Sequence, residues 1–131
     1  MPQFVDIETP YSARTEGELR RNIRYARACV RDSILKGEFP FASHLFYTQS
    51  GILDDNIQEE RDRGIMAGKE IISHLKATTA VYTDLGTSKG MQLGINLAKE
   101  QGRNIDYRTL GKDWDAEFSK HERSHSHNNV W

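Results

Sequence analysis

Three short stretches of this 131-residue chain concentrate side chains suited to handling a small polar ligand. They are Thr9-Pro10-Tyr11-Ser12, then Ser43-His44 with Tyr47, Gln49, Asp54 and Asp55, and Asp84-Leu85-Gly86-Thr87-Ser88-Lys89-Gly90. In the third, two glycines flank Thr-Ser-Lys just ahead of an apolar helical pattern. Free N–H groups and the helix dipole at such a start favour an anion, so the amides near Ser88, its hydroxyl and Lys89 suit a phosphate. The same residues also have a purely local reading, in which Thr87 or Ser88 caps the helix and the glycines allow the turn. The spacing is neither a Walker sequence nor a full dinucleotide fingerprint.

Asp54, Asp55, Glu59 and Glu60 crowd four carboxylates into seven residues. At the opening of a helix the dipole favours such charges, and one of them can also reach a sugar hydroxyl. His44 reads either as a ligand contact or as a hydrogen-bonded core histidine. Tyr11 and Tyr47 offer aromatic faces on which a base can stack. Cys29 lies in a helical pattern and reads as a small core residue of a reducing compartment. His121, His125 and His127 could pick up a metal opportunistically. No cysteine–histidine cluster matches them, so no metal site and no cofactor are expected.

An alternation of strands and helices positions these groups. Gln3–Glu8 reads as a strand, stopped by Thr9-Pro10. From Glu16 to Lys36, Leu19, Ile23, Ala26, Val30 and Ile34 recur at helical spacing, with Thr15 and Glu18 forming a capping box and Gly37 ending the helix. Phe39–Tyr47 reads as a second extended run, and residues from about Ile57 to Leu75 as a second helix. Thr78–Asp84 is the third strand, rich in β-branched and aromatic residues. A third helix reaches about Gly102, a last strand covers Ile105–Arg108, and a short helix lies around Trp114–Lys120. The order β-α-β-α-β-α-β predicts an α/β domain, a flavodoxin- or Rossmann-like three-layer sandwich with a four- to five-stranded parallel sheet. Residues 1–110 are expected to form that domain, and 111–131 a C-terminal helix and mobile tail. In open parallel sheets ligands bind beyond the carboxyl ends of the strands, where all three polar stretches fall.

Composition narrows the partners. Eighteen Lys and Arg against nineteen Asp and Glu give a net charge of −1, without the basic excess of a nucleic-acid binder. No apolar stretch approaches the ~20 residues of a membrane span, and the N-terminus lacks the basic region of a signal peptide. A cytoplasmic location is expected, with no membrane and no nucleic-acid partner. A four-stranded sheet leaves edges and helix faces to cover, which predicts a homo-oligomer.

Val5-Asp6-Ile7-Glu8-Thr9-Pro10-Tyr11-Ser12, the helix with Asn22 and Tyr25-Ala26, and Asp84 through Gly94 together resemble the nucleoside 2-deoxyribosyltransferase-like superfamily. Pro40-Phe41-Ala42-Ser43-His44-Leu45, Tyr47-Thr48-Gln49 and Leu53-Asp54-Asp55 look like an uncharacterised branch of it common in phages and bacteria. The likeness covers roughly residues 3 to 110. It implies oligomers that cleave or transfer at the N-glycosidic bond of nucleosides or nucleotides, with Pro10, Tyr11, Gly86, Thr87, Ser88, Gly90, Met91 and Gln92 among the ligand contacts. The superfamily's enzymes use a glutamate nucleophile where this chain has Gln92. A carboxylate stabilises an oxocarbenium-like transition state far better than a neutral amide does. Either Asp84, Glu60 or Glu8 takes that role, giving an N-glycosidase or deoxyribosyltransferase, or the protein binds a nucleotide without cleaving it, sequestering or sensing it. An interaction domain with a vestigial pocket is the third reading.

Overall fold

The computed structural model describes residues 3–122. Its elements run β1 (Phe4–Glu8), α1 (Glu16–Leu35), β2 (Phe39–Phe41), α2 (Ser43–Tyr47), α3 (Gln58–Leu75), β3 (Thr78–Tyr82), α4 (Lys89–Glu100), β4 (Ile105–Arg108) and α5 (Trp114–Glu122). The four strands form one all-parallel sheet in the order β2-β1-β3-β4. With helices flanking it, the fold is the Rossmann- or flavodoxin-like sandwich that the alternation of elements predicts.

Alternation along the strands sorts side chains between two faces. Val5 and Ile7 of β1 and Ala80 and Tyr82 of β3 meet Tyr25 and Cys29 of α1, with Leu110 and Trp114 closing that side. On the other face Val81 packs with Met91 and Ile95 of α4 and with Ile105. Asp6, Glu8 and Thr79 alternate onto this second face as well. The central strand β3 is buried along its whole length, which fits its run of β-branched and aromatic residues. Apolar burial of this kind contributes about 25 cal/mol per Å² and makes up most of the folding drive.

At the start of α1, Thr15 Oγ1 accepts from the Glu18 amide at 3.1 Å. The return bond of the expected box goes one residue early, from the Arg14 amide to Glu18 Oε2. Gly37, with φ of 84°, makes the turn after the helix, where an L side chain would be strained.

The extended run Phe39–Tyr47 is corrected by the structure: β2 stops at Phe41 and Ser43–Tyr47 is a helical turn. As the edge strand, β2 pairs only with β1, and the pairing ends at Asp6↔Phe41. Pro40 is tolerated there because an edge strand can spare a donor. Beyond Phe41 the chain gains more by curling. Leu45 then reaches the α1-side core, and the Phe41, Phe46 and Tyr47 rings pack at centroid distances of 5.1–6.3 Å. Gly68 of α3 permits the closeness, since a Cβ there would lie 2.6 Å from Ser43 Oγ.

Helix α5 is bolted to α1 by Arg24. Its guanidinium donates to Glu122 at 3.0 Å and to Ser119 at 2.9 Å, pairs with Asp115, and lies over the Trp114 and Phe118 rings. Residues 123–131, with His125 and His127, lie outside the described residues.

Candidate functional site

Strand order 2-1-3 makes β1 and β3 neighbours whose connections leave in opposite directions. The crevice at that switch point is where doubly wound sheets take ligands. Because the strands are parallel, the loops after β1, β2 and β3 leave from the same end of the sheet; the cleft there is lined by the first two polar stretches, and residues 84–90 lie outside its lining.

The β1 loop is held from behind. Buried Asn22 of α1 donates to the carbonyls of Tyr11 at 3.1 Å and Ser12 at 3.4 Å, presenting the segment after Pro10 to solvent. Thr9 Oγ1 and His44 Nε2 are hydrogen-bonded at 2.9 Å, and the Tyr11 and His44 rings stand edge to face at 5.7 Å. Desolvation pushes the His44 imidazole down to about 4, so it is neutral at physiological pH. His44, half-buried, thus has Thr9 as its hydrogen-bond partner and the Tyr11 ring as its neighbour in the β1 loop.

Between the β1 loop and the segment after α2 opens a cleft of about 660 Å³, lined by Tyr11, Ser12, Leu19, Asp54, Glu60 and Arg61 among others. Sites for small molecules span ~300–1,000 Å³. The acidic wall is knitted together locally: Asp54 Oδ1 accepts from the Asn56 amide at 2.9 Å, and Glu60 Oε1 accepts from the Asp54 amide at 3.0 Å. Asp55 pairs with Arg61 at 3.3 Å, and Arg61 reaches across to Ser12 Oγ at 3.5 Å. Tyr47 and Ser43 turn inward instead. Tyr47 joins the aromatic cluster and Ser43 abuts Gly68. Gln49 folds back onto the Phe46 carbonyl at 3.1 Å.

On the β3 side, the Asp84 carboxylate accepts from Tyr25 Oη at 2.5 Å, from the Leu110 amide at 2.9 Å and from the Gly111 amide at 3.0 Å. Burial pushes this carboxyl upward, but those bonds outweigh it and hold Asp84 below the usual carboxylate range. The group anchors the β4–α5 turn to α1. Ser88 is the N-cap of α4, its hydroxyl accepting from the Met91 amide at 3.2 Å. Gly86, at φ of 86°, makes the turn, while Thr87, Lys89 and Gly90 face solvent. Met91 is buried in the α4-side core. Gln92 lies on the exposed side of α4 and donates to Asn96 at 3.0 Å.

Glu8 ends β1 on the α4 side, where its carboxyl fills the space over Gly94; a Cβ there would come within 2.6 Å of the carboxyl carbon. Desolvation, reinforced by the neighbouring Asp6, raises Glu8 well above the usual range, and desolvation raises buried Asp6 too. Sequence reasoning passed over Asp6, Arg61 and Gly94. Asp6 carried a signal: a carboxylate alternating with Val5 and Ile7 in a buried strand asks for a partner. Arg61 carried none, since its role depends on how the segment after α2 folds back. Among the described residues no three His, Cys, Asp or Glu side chains converge as metal ligands, and no helix is long and apolar enough to cross a membrane.

Residues 3–108 match the model of a domain of unknown function, DUF7768, and the chain belongs to that family. No curated protein matches it.

Proposed function

We propose that this DUF7768 chain binds a nucleoside or nucleotide at the rim between β1, β2 and β3. The observation that carries the reading is the cleft of about 660 Å³, whose lining includes Tyr11 together with Asp54 and Glu60. An aromatic face suits a base, and carboxylates suit sugar hydroxyls. The start of α4 leaves from the same end of the parallel sheet, outside the lining of the cleft, and its backbone N–H groups suit a phosphate. The resemblance to nucleoside 2-deoxyribosyltransferases supports the same ligand class. Exposed Ile65, Met66 and Ile71 on α3 and Leu93 on α4 support self-association.

Capture without cleavage is the reading we favour, as for a protein that sequesters or senses its ligand. Asp84 is spent on three donors, Gln92 is an amide turned to Asn96, and Glu8 is packed against Gly94. One observation supports N-glycoside cleavage instead. Glu60 lines the cleft with one oxygen on the Asp54 amide, leaving the other to face an anomeric carbon. Incubation with nucleosides, nucleotides, NAD and cyclic nucleotides, followed by mass spectrometry, separates the two. Intact ligand released only on denaturation is the expected result. Free base produced with turnover, and abolished by Glu60→Gln, establishes the cleavage reading, and neither retained ligand nor free base rejects both.

A further inference from the structure

The two edges of the sheet are finished differently. At the β2 edge the Phe39 N–H bonds the Gln3 carbonyl at 2.9 Å, so Phe39 turns its backbone toward β1 and Pro40 is the residue whose backbone faces outward. Proline has no N–H to offer there, and its ring blunts the edge. At the β4 edge the Thr79 N–H bonds the Asn104 carbonyl at 2.8 Å and the Thr83 N–H bonds the Arg108 carbonyl at 3.0 Å. Backbone direction alternates along a strand, so Asn104, Asp106 and Arg108 face β3 while Ile105 and Tyr107 turn their N–H and C=O groups away from the sheet. No strand lies beyond β4 in the sheet order. Among the described residues none bonds the outward backbone groups of Ile105 or Tyr107. The strand has no proline, and the Tyr107 side chain is 61% exposed.

An open edge accepts another strand, and the residues of β4 select which one. We propose that β4 is the pairing edge for a second copy of this chain, joined antiparallel about a two-fold axis at Tyr107 into one continuous sheet. Antiparallel pairing sets outward residues opposite outward residues, so the axis can pass through Ile105, Asp106 or Tyr107. An axis at Asp106 would bring its carboxylate face to face with its own copy, which is destabilising. An axis at Ile105 would set Asp106 opposite Asn104 and Tyr107 opposite Arg103, whose guanidinium is already committed to the Ala77 carbonyl and Thr79. An axis at Tyr107 sets each Asp106 opposite Arg108 of the second copy, in a close pair on the α1 face. Arg108 already holds Asp106 of its own chain at 2.8 Å, so carboxylates and guanidiniums alternate across the junction. On the α4 face the two exposed Tyr107 rings stand opposite each other, a favourable cross-strand pair. A two-fold contact must be self-complementary, and this match favours a second copy over an extended peptide of another protein. The pairing is independent of the ligand reading and distinct from the exposed apolar positions of α3 and α4.

The full chain is tested without ligand by sedimentation velocity, beside Tyr107→Pro. That substitution removes an N–H that faces away from β3, so it spares the ladder of the sheet itself, and far-ultraviolet circular dichroism checks that it folds. The wild type is expected to sediment as a dimer, and Tyr107→Pro to dissociate about tenfold more readily, because both bonds at the axis are lost. Cross-linking reads the register. A hydrogen-bonded antiparallel pair holds its Cα atoms ~5.5 Å apart, within disulfide reach. Tyr107→Cys is therefore expected to give a covalent dimer in oxidised glutathione. Leu93→Cys, exposed on α4, is expected to stay uncoupled, and the native Cys29 is buried. A monomeric wild type overturns the pairing and leaves the edge to a different chain. A dimer unchanged by Tyr107→Pro, or cross-linked through Leu93→Cys and not through Tyr107→Cys, overturns it in favour of the helix faces. Should Tyr107→Pro not fold, the Tyr107→Cys cross-link decides alone: its formation supports the pairing and its absence overturns it.

Discussion

The two faces of the sheet bury polar groups in opposite ways. Under α1, Arg108 clasps Glu38 through two bonds of 2.7 Å and touches Tyr82 Oη at 3.2 Å, while Tyr82 Oη donates to Asp32 at 2.7 Å. Glu38 also accepts from buried Ser33 at 2.7 Å. Every charge there has a partner, and the Arg108 bonds hold the Glu38 carboxyl below its ordinary range. Under α4, Asp6 accepts from Thr79 at 3.2 Å and Glu8 packs over Gly94, and desolvation pushes both carboxyls upward against the field of Arg103. Matched groups fix the α1 side in one arrangement. The α4 side keeps a cost that apolar residues would avoid, and it is this side that carries the start of α4 to the rim.

The comparison breaks most visibly at Arg108. Arg108→Ala leaves the largely covered Glu38 carboxylate without its counter-ion and with Ser33 as its remaining donor, and is expected to cost about 3–5 kcal/mol in urea unfolding. A loss no larger than a surface ion pair's would make the two faces alike. Tyr25→Phe removes one donor from Asp84 while keeping the ring that packs on Trp114 at 5.0 Å. Its expected cost is about 1.5–3 kcal/mol, together with an upward move of the Asp84 titration readable by carbon-13 NMR. Gly94→Ala drives a methyl into the Glu8 carboxyl and should cost about 1–3 kcal/mol, much of it recovered in the Gly94→Ala, Glu8→Ala double variant. An additive double variant would mean that the two residues do not press on each other.

The smallest effect at neutral pH, and the most informative in sign, belongs to Glu8→Gln. A carboxyl whose folded-state value is raised contributes stability that is fully present below the ordinary carboxylate range. That stability is lost as pH rises through the raised value. Glu8→Gln removes this loss, so the variant should match the wild type in acid and become the more stable of the two as pH climbs. Parallel denaturation midpoints across that window would show Glu8 titrating normally.

Much of this arrangement was legible from residue patterns and some of it was not. Period-3.6 runs such as Leu19, Ile23, Ala26 and Val30, and the buried run Thr78–Tyr82, carry their element type locally. The alternation of elements then fixed the parallel sheet and the shared rim. The segment Ser43–Tyr47 was misread as strand because an aromatic run looks alike in an edge strand and in a short helix. What decides is the end of pairing at Phe41 and the Gly64 and Gly68 faces of α3, which are tertiary facts. The rim stretches were found because their polar residues sit at element ends. Within them the Ser88 cap on the Met91 amide is local and readable, whereas Asp84 anchoring to Tyr25 and His44 bonding to Thr9 depend on partners distant in sequence. Asp6 and Gly94 show the same limit, since neither is unusual until β1 and α4 are brought together.

The most direct test of the rim as a ligand site is a nitrogen-15 NMR titration with single nucleosides and nucleotides, reading backbone amide shifts residue by residue. Binding at the rim predicts saturable shifts concentrated in residues 9–13, 48–61 and 84–92, removed by Tyr11→Ala and Glu60→Gln while the β2-distal strand β4 stays still. Absence of saturable shifts with any of the compounds, or shifts confined to the surface between α1 and α5, would contradict it.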